Sequence, residues 1–415
     1  MPKKTLIFLL IILAIAAFFR LWRLDSLPPG LWPDETAYVN DAIETLETGD
    51  FKVFYPENHG REGLFMWLLA GFFSLFGISV LSFKIVPALI GILTVLGIYL
   101  LAKELFRNEA ISLLASFFLA ISFWHVNFSR IGFRAILLPL VLTFAFYFFF
   151  RALRTKNSLD FILTGLIFGL GFYTYISFRL AVLVFGFVLL LWMFVAKREN
   201  WLKRYLGGTA LLLMTTFIVA LPIGLYFLEN PEHFVSRALG VSVFETEQPV
   251  KEFLKSFGKH LAMFNFVGDR NLRHNLSGFP QLSPSAGIFF LVGIIFAVFR
   301  GFAGSFKERG IYLFLFVWLF ALLLPGALTV EGVPHALRTI GVIPAAYIFA
   351  GLGAWLIYDW AKNKFRDIKV VAFGLLALML VSSFVMYFVV WAKTPELKNA
   401  FPLNPDDQKV WRIVP

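Results

Sequence analysis

The 415-residue sequence contains no cysteine. No loop can therefore be held by a disulfide, and no thiolate is available as a nucleophile or metal ligand. Charge is also scarce: Asp, Glu, Lys and Arg make up 15% of the residues, against about a quarter in soluble domains. The phosphate-binding P-loop and the dinucleotide fingerprint are both missing. Nor is there an internal repeat, a low-complexity linker or a composition break that would mark a second domain.

Apolar residues take their place. The chain is 59% hydrophobic and 18% aromatic, and its mean hydropathy is +0.78. Apolar runs near twenty residues long recur from end to end, which specifies an all-α polytopic membrane protein. A β-barrel would show short alternating strands instead. The net charge of +11 does not point to nucleic acid. Much of the Lys and Arg lies in short loops between apolar runs, as the positive-inside rule requires.

Lys3 and Lys4 place the N-terminus in the cytoplasm, and the first apolar run follows at once. It resembles a signal peptide. However, Phe18-Phe19-Arg20-Leu21-Trp22 stands where small residues would mark cleavage, so the run is expected to remain as the first span. A long polar and aromatic loop, residues 20–63, comes next. Within it Thr36 to Thr48 is amphipathic: Tyr38, Val39, Ala42, Ile43 and Leu46 share one face, and Gly49 suits the position just past a helix end. Such a helix lies on a membrane surface. Leu64 to Gly77 is apolar but short. If it spanned, every later basic loop would face outward, so a surface or re-entrant helix is expected there. Further spans are expected at roughly 84–102, 110–127, 135–151, 161–176, 180–196, 206–228, 286–300, 311–328, 339–358 and 370–391. With the first helix that makes about eleven. It puts the C-terminus outside and makes residues 229–285 a second large outer loop. The whole chain, 1–415, is expected to be one membrane domain with no separate soluble domain.

The first loop carries Trp32-Pro33-Asp34-Glu35 just beyond the first span. Asp34 suits the N-cap of the following helix, which would also fix its carboxylate in place. Glu35 suits the positive first turn. Arginines recur at expected outer helix ends: Arg130 and Arg134, Arg179 behind Tyr175, and Arg338 in Pro334-His335-Ala336-Leu337-Arg338. Arg61 lies between His59 and Glu62, and Arg270, Arg273 and His274 lie in Asp269-Arg270-Asn271-Leu272-Arg273-His274-Asn275. Snorkelling to headgroups accounts for one or two of these. Guanidinium rather than ammonium, in company with His, Tyr and Asn, suits bidentate capture of a lipid phosphate. His59, Glu62, Asp269, His274 and His335 could ligate a divalent metal, but none shows a recognisable ligand spacing. Gly165, Gly169 and Gly171 lie inside a span, where small residues serve close helix packing.

A span, an outer loop opening on an Asp-Glu pair, an amphipathic helix, a second surface helix and a many-span bundle together resemble the GT-C glycosyltransferases. The likeness is greatest to the bacterial branch related to protein O-mannosyltransferases and lipid A aminoarabinose transferases. Trp32-Pro33-Asp34-Glu35 resembles that family's first-loop acidic motif, and Ser129-Arg130 its Ser-Arg motif. The two segments around Arg270 and His335 resemble loop motifs of a bacterial subgroup. Asn58-His59-Gly60-Arg61-Glu62-Gly63 departs from the His-Pro-Pro of many relatives, and many relatives carry a soluble outer domain beyond the point where this sequence stops.

The resemblance implies an enzyme of the cytoplasmic (inner) membrane. It would transfer a sugar, with inversion, from a polyprenyl-phosphate carrier to a glycan, lipid or protein acceptor at the outer face. Asp34 would then be the catalytic carboxylate, with Glu35 orienting it or holding a metal. Arg270, Arg273, His274 and Arg338, with Arg61, Arg130 and Arg179, would meet the donor phosphate. His59, Glu62, Tyr175, Asp269, Asn275 and His335 would line the substrate site. The aromatic-rich spans could groove the prenyl chain, although most of those rings suit ordinary lipid-facing surface. A flippase for a lipid-linked sugar is the alternative; it would call for charged or broken helices at mid-membrane. A membrane scaffold would leave Asp34 far from every one of these arginines.

Overall fold

The computed structural model describes residues 2–57, 60–234 and 240–402. It is a bundle of long apolar helices with one end covered by irregular segments. Helix α1 (Lys3–Leu21) is followed by α2 (Pro33–Thr48), a two-residue antiparallel hairpin of β1 (Phe54–Tyr55) and β2 (Arg61–Glu62), and α3 (Leu64–Phe76). Then come α4 (Val80–Phe106), α5 (Glu109–Ala120), α6 (Phe123–Arg130), α7 (Leu137–Thr155), α8 (Ser158–Gly171), α9 (Ala181–Arg198) and α10 (Leu202–Glu229). After the second long loop with its helix α11 (Pro249–Ala262) follow α12 (Pro284–Ala303), α13 (Phe306–Ala321), α14 (Ile343–Ala361) and α15 (Ile368–Val385).

Among the described residues nine helical stretches are long and apolar enough to cross a membrane, and ten if the bent pair α5–α6 counts as one. The expected span at 161–176 is the one that falls short. Its helix stops at Gly171, where the Thr174 hydroxyl bonds the Gly171 carbonyl at 2.6 Å. Helix α3 has 13 residues, about 20 Å at 1.5 Å per residue, which is too short for a 30 Å hydrocarbon core. It packs against α2 and α4.

The break between α5 and α6 is a 54° bend at residues 121–122. A helix that stops leaves its last carbonyls without partners. Arg20, buried at the end of α1, donates to Ala120 O at 3.0 Å and Leu119 O at 3.3 Å, while Ser122 caps α6 by accepting from His125 N at 3.1 Å. Elsewhere glycines let backbones meet. A methyl group at Gly353 would lie 1.9 Å from the Phe289 carbonyl oxygen, and one at Gly165 would lie 2.3 Å from that of Leu212. The close-packing expectation for the glycines of α8 thus holds for Gly165.

The first loop is fastened by buried ion pairs. Arg61 holds Asp41 of α2 in a bidentate pair, its Nε and Nη2 donating to the two carboxylate oxygens at 2.7 and 3.1 Å. Arg134 binds Glu62 at 2.9 Å, the Tyr38 hydroxyl at 3.0 Å and Gly60 O at 3.1 Å. Gly49 ends α2 in the left-handed conformation at φ 70°, as expected from its position.

Replacing Gly353 by Val should force α12 and α14 apart and cost about 1–3 kcal/mol. Gly186→Val, on a face where nothing lies within 4 Å, should be neutral. Thermal melts of the two variants in detergent compare them; equal melting temperatures would refute the close crossing.

Candidate active site

Pro33 opens α2 at the position where its missing N–H costs nothing, and Trp32 is the N-cap in extended conformation. The cap bond is not made by Asp34, as the sequence led us to expect. Glu35, at the third helical position, reaches back and accepts the Trp32 backbone N–H. Its reach is the better one, since an acid one residue inside the helix has no geometry to cap it. Glu35 is 0% exposed, and its other oxygen has no hydrogen-bond partner among the described residues. It therefore positions the turn. Asp34 sits between Pro33 and Glu35, half-buried, at the positive end of the helix.

Two cations serve this turn. Lys84, fully buried at the start of α4, donates to Pro28 O at 2.7 Å and lies in the field of Glu35. Arg273 stacks its guanidinium 4.0 Å from the centre of the Trp32 ring, and the Asp34 carboxylate is its strongest charged neighbour. Arg273 is thus brought to the turn that carries Asp34.

Arg273 is delivered by a tight hairpin, with Gly268 N bonded to Gly278 O at 3.2 Å and Gly278 N to Asp269 O at 3.0 Å. Asn127 of α6 holds the Arg273 carbonyl at 2.6 Å. The Asp269 carboxylate organises the hairpin: it accepts from Asn271 N, from Ala336 N and from His274 Nδ1, each at 2.8 Å. His274 Nε2 is buried without a partner, and its ring lies 5.0 Å from that of His335. Burial, opposed by Asp269, lowers the pKa of His274 below the ordinary histidine value. Among the described residues Asp269, His274 and His335 form the group that could hold a metal ion, with donor atoms within 4.8 Å of one another. His260 steadies His335, accepting its backbone N–H at 3.0 Å. Asn275 braces the hairpin by donating to Asp269 O at 3.2 Å.

Other residues expected at the donor phosphate are committed elsewhere. Arg61 is spent on Asp41, as described above. Arg130 is fully buried and donates to the carbonyls of Phe19, Arg23 and Leu27, at 3.0, 3.2 and 2.8 Å. Arg179 stacks 3.9 Å from the ring centre of Phe234 and bonds its carbonyl. Glu62 is paired with Arg134, whose guanidinium also lies 5.4 Å from the Tyr175 ring centre. A desolvated guanidinium must satisfy its donors; protein groups take most of them here, leaving Arg61 Nη1 and Arg130 Nε without a partner among the described residues. Arg338 remains beside His335 in an ion pair with the exposed Glu331 at 3.3 Å, and Arg270 is exposed on the hairpin. His59 lies outside the described residues. Lys84 went unrecognised because a single lysine at the rim of an apolar run marks a span boundary; only its burial at 0% shows otherwise.

Residues 63–226 match the family described as dolichyl-phosphate-mannose-protein mannosyltransferase. No curated protein matches the chain at a significant level. Among solved structures, the oligosaccharyltransferase AglB of Archaeoglobus fulgidus, in complex with an inhibitory peptide and a dolichol-phosphate, aligns with a TM-score of 0.61 and 15% identity over 98% of this chain and 59% of that one. The same archaeal enzyme in complex with Zn and sulfate aligns at 0.60 and 14% over 92% and 53%. ArnT from Cupriavidus metallidurans bound to undecaprenyl phosphate aligns at 0.56 and 15% over 96% of this chain and 73% of that one. The chain thus spans 59% of the length of the archaeal enzyme, and these likenesses give it the GT-C fold of membrane glycosyltransferases.

Burial raises the Glu35 carboxyl from 4.5 to about 8, against the pull of the Trp32 N–H and Lys84. The folded protein then holds a proton that the unfolded chain releases. Stability should accordingly fall as pH rises from 4.5 toward 8. Glu35→Gln keeps the acceptor for Trp32 and should flatten that slope. Thermal melts of both proteins across this range decide it; identical pH profiles would refute a protonated Glu35.

Proposed function

On the premise of the GT-C fold, we propose that this chain is an inverting glycosyltransferase of the cytoplasmic membrane. It moves a sugar from a polyprenyl-phosphate carrier to a glycan, lipid or protein acceptor at the outer face. The observation that carries the proposal is that Arg273, stacked on the Trp32 ring, has Asp34 of the same turn as its strongest charged neighbour. A carboxylate held at a helix start and a guanidinium brought from a distant loop supply a base and an anion clamp at one place.

In the reaction the acceptor hydroxyl oxygen bonds to the anomeric carbon as the bond from that carbon to the phosphate oxygen breaks. The carbon passes through an oxocarbenium-like state. Asp34 takes the hydroxyl proton. The departing lipid phosphate keeps the electron pair, and its growing charge is met by Arg273, with Arg338 and Arg270 flanking. Glu35 and Lys84 hold the turn that presents Asp34. A dolichol-phosphate and undecaprenyl phosphate, bound in the two structural neighbours, are the carrier chemistry this site would need. Lys3, Lys4 and the basic short loops favour a cytoplasmic N-terminus and an outer active site.

Transfer of radiolabelled sugar from a polyprenyl-phosphate-sugar pool, in right-side-out and inverted vesicles, tests the proposal. Asp34→Asn should lower the rate by about 10²–10⁴ and Arg273→Ala by about 10²–10³, with melting temperatures unchanged. Arg273→Lys should recover only part, because an ammonium lacks the planar fork. Equal transfer by wild type and Asp34→Asn would overturn the assignment. Passage of lipid-linked sugar across the bilayer without any transfer would replace it with a flippase.

A further inference from the structure

The loop that presents Arg273 is held by residues from the end of the last span. The carbonyl of Leu272, the residue before it, accepts the indole N–H of Trp391 at 3.0 Å. The carbonyl of Arg273 itself accepts from the Asn127 amide nitrogen at 2.6 Å, and the Tyr387 hydroxyl donates to the oxygen of that amide at 3.3 Å. Trp391, Tyr387 and Asn127 are all fully buried. The Tyr387 and Trp391 rings lie 4.8 Å apart, and Phe123 of α6 packs on both, at 5.2 and 6.0 Å between ring centres.

A tryptophan at the end of a membrane span is ordinarily an interface anchor, its N–H turned to water and headgroups. Trp391 departs from that pattern, since its ring is buried and its N–H is spent on a loop carbonyl. The backbone departs from the ordinary pattern as well. Beyond α15 it forms a π turn over Met386–Val390 and a 3-10 turn over Trp391–Lys393. Single π turns of this kind are frequent at functional sites. What they support here needs precision. A group that meets growing charge must be held to within about 0.5 Å, and a misplacement near 1 Å can cost about 10² in rate. Arg273 acts at the end of a long side chain, so an error in its backbone is carried to the guanidinium.

We propose that Trp391 and Tyr387 are positioning residues for sugar transfer. Trp391 acts on Arg273 through the Leu272 carbonyl, and Tyr387 acts on it through Asn127. The proposal rests on Arg273 meeting the departing lipid phosphate, as argued above. Both side chains are buried behind the loop, so their effect on the reaction passes through Arg273.

Steady-state transfer from a polyprenyl-phosphate-sugar donor, measured on the full chain as wild type, Trp391→Phe, Arg273→Ala and the double variant, tests this. Phenylalanine keeps an aromatic ring in place and loses the N–H. Trp391→Phe should lower kcat about fivefold, the worth of one hydrogen bond, with KM for the acceptor unchanged. In the Arg273→Ala background the same change should cost nothing further. Tyr387→Phe, which removes only the hydroxyl, should behave alike with a loss of about threefold, its bond being longer. A thermal melt identifies a variant that fails to fold, and the other then decides. Unchanged kcat in the folded variants, or equal losses with and without Arg273, would overturn the positioning role. Full activity of Arg273→Ala would instead overturn the reading of Arg273, and this proposal with it.

Discussion

Three carbonyl oxygens of an irregular loop, all gathered by Arg130, set the geometry on which the rest depends. Phe19, Arg23 and Leu27 belong to the turn where the chain leaves α1. Their oxygens would be unsatisfied in a buried setting. A fully buried guanidinium from α6 satisfies them and also lies over the rings of Tyr387 and Phe388. Lys84 does the same for Pro28. In a chain with so few charges, a buried cation used in this way turns a flexible exit loop into a fixed platform. The platform ends at Trp32, where α2 begins.

At that point two adjacent acids take different tasks because their positions on the helix differ. The third helical residue can curl back to the cap N–H, and the second cannot. Glu35 is drawn into the interior and loses water, which favours its protonated form. Asp34 stays half-buried beside the Arg273 guanidinium.

Much of the architecture was legible in the sequence because it rests on length and periodicity. The apolar runs, the amphipathic α2 with Gly49 at its end, and the short α3 all follow from patterns that no tertiary contact has to complete. The convergence of Trp32, Asp34 and Arg273 was legible only as chemistry that belongs together. What the sequence could not separate was one buried arginine from another. Arg61, Arg130, Arg179 and Arg273 all stand at helix ends or in polar loops, and which of them faces a site depends on contacts with residues tens to hundreds of positions away. Asp41 claims Arg61, and the exit loop claims Arg130. The swap of capping from Asp34 to Glu35 was missed for a smaller reason: the helix already begins at Pro33, which puts the N-cap at Trp32, two residues before Asp34.

The hairpin of residues 268–278, with the segment that follows it, shows how polarity is divided across a thin element. Asp269 anchors one side through three hydrogen bonds, two from the backbone amides of Asn271 and Ala336 and one from the His274 ring. The opposite side is neutral, with a buried amide and serine hydroxyls set among apolar residues. The two sides are joined through the backbone, since Gln281 N bonds Met263 O at 2.9 Å and Asn275 links Asp269 O to Phe279 O. Any displacement of Phe279 or Gln281 must therefore be transmitted to Asp269. Arg273 has little slack, because its carbonyl is held by Asn127 and its guanidinium by the Trp32 ring. The packing on the neutral side consequently sets how precisely the guanidinium is presented to Asp34.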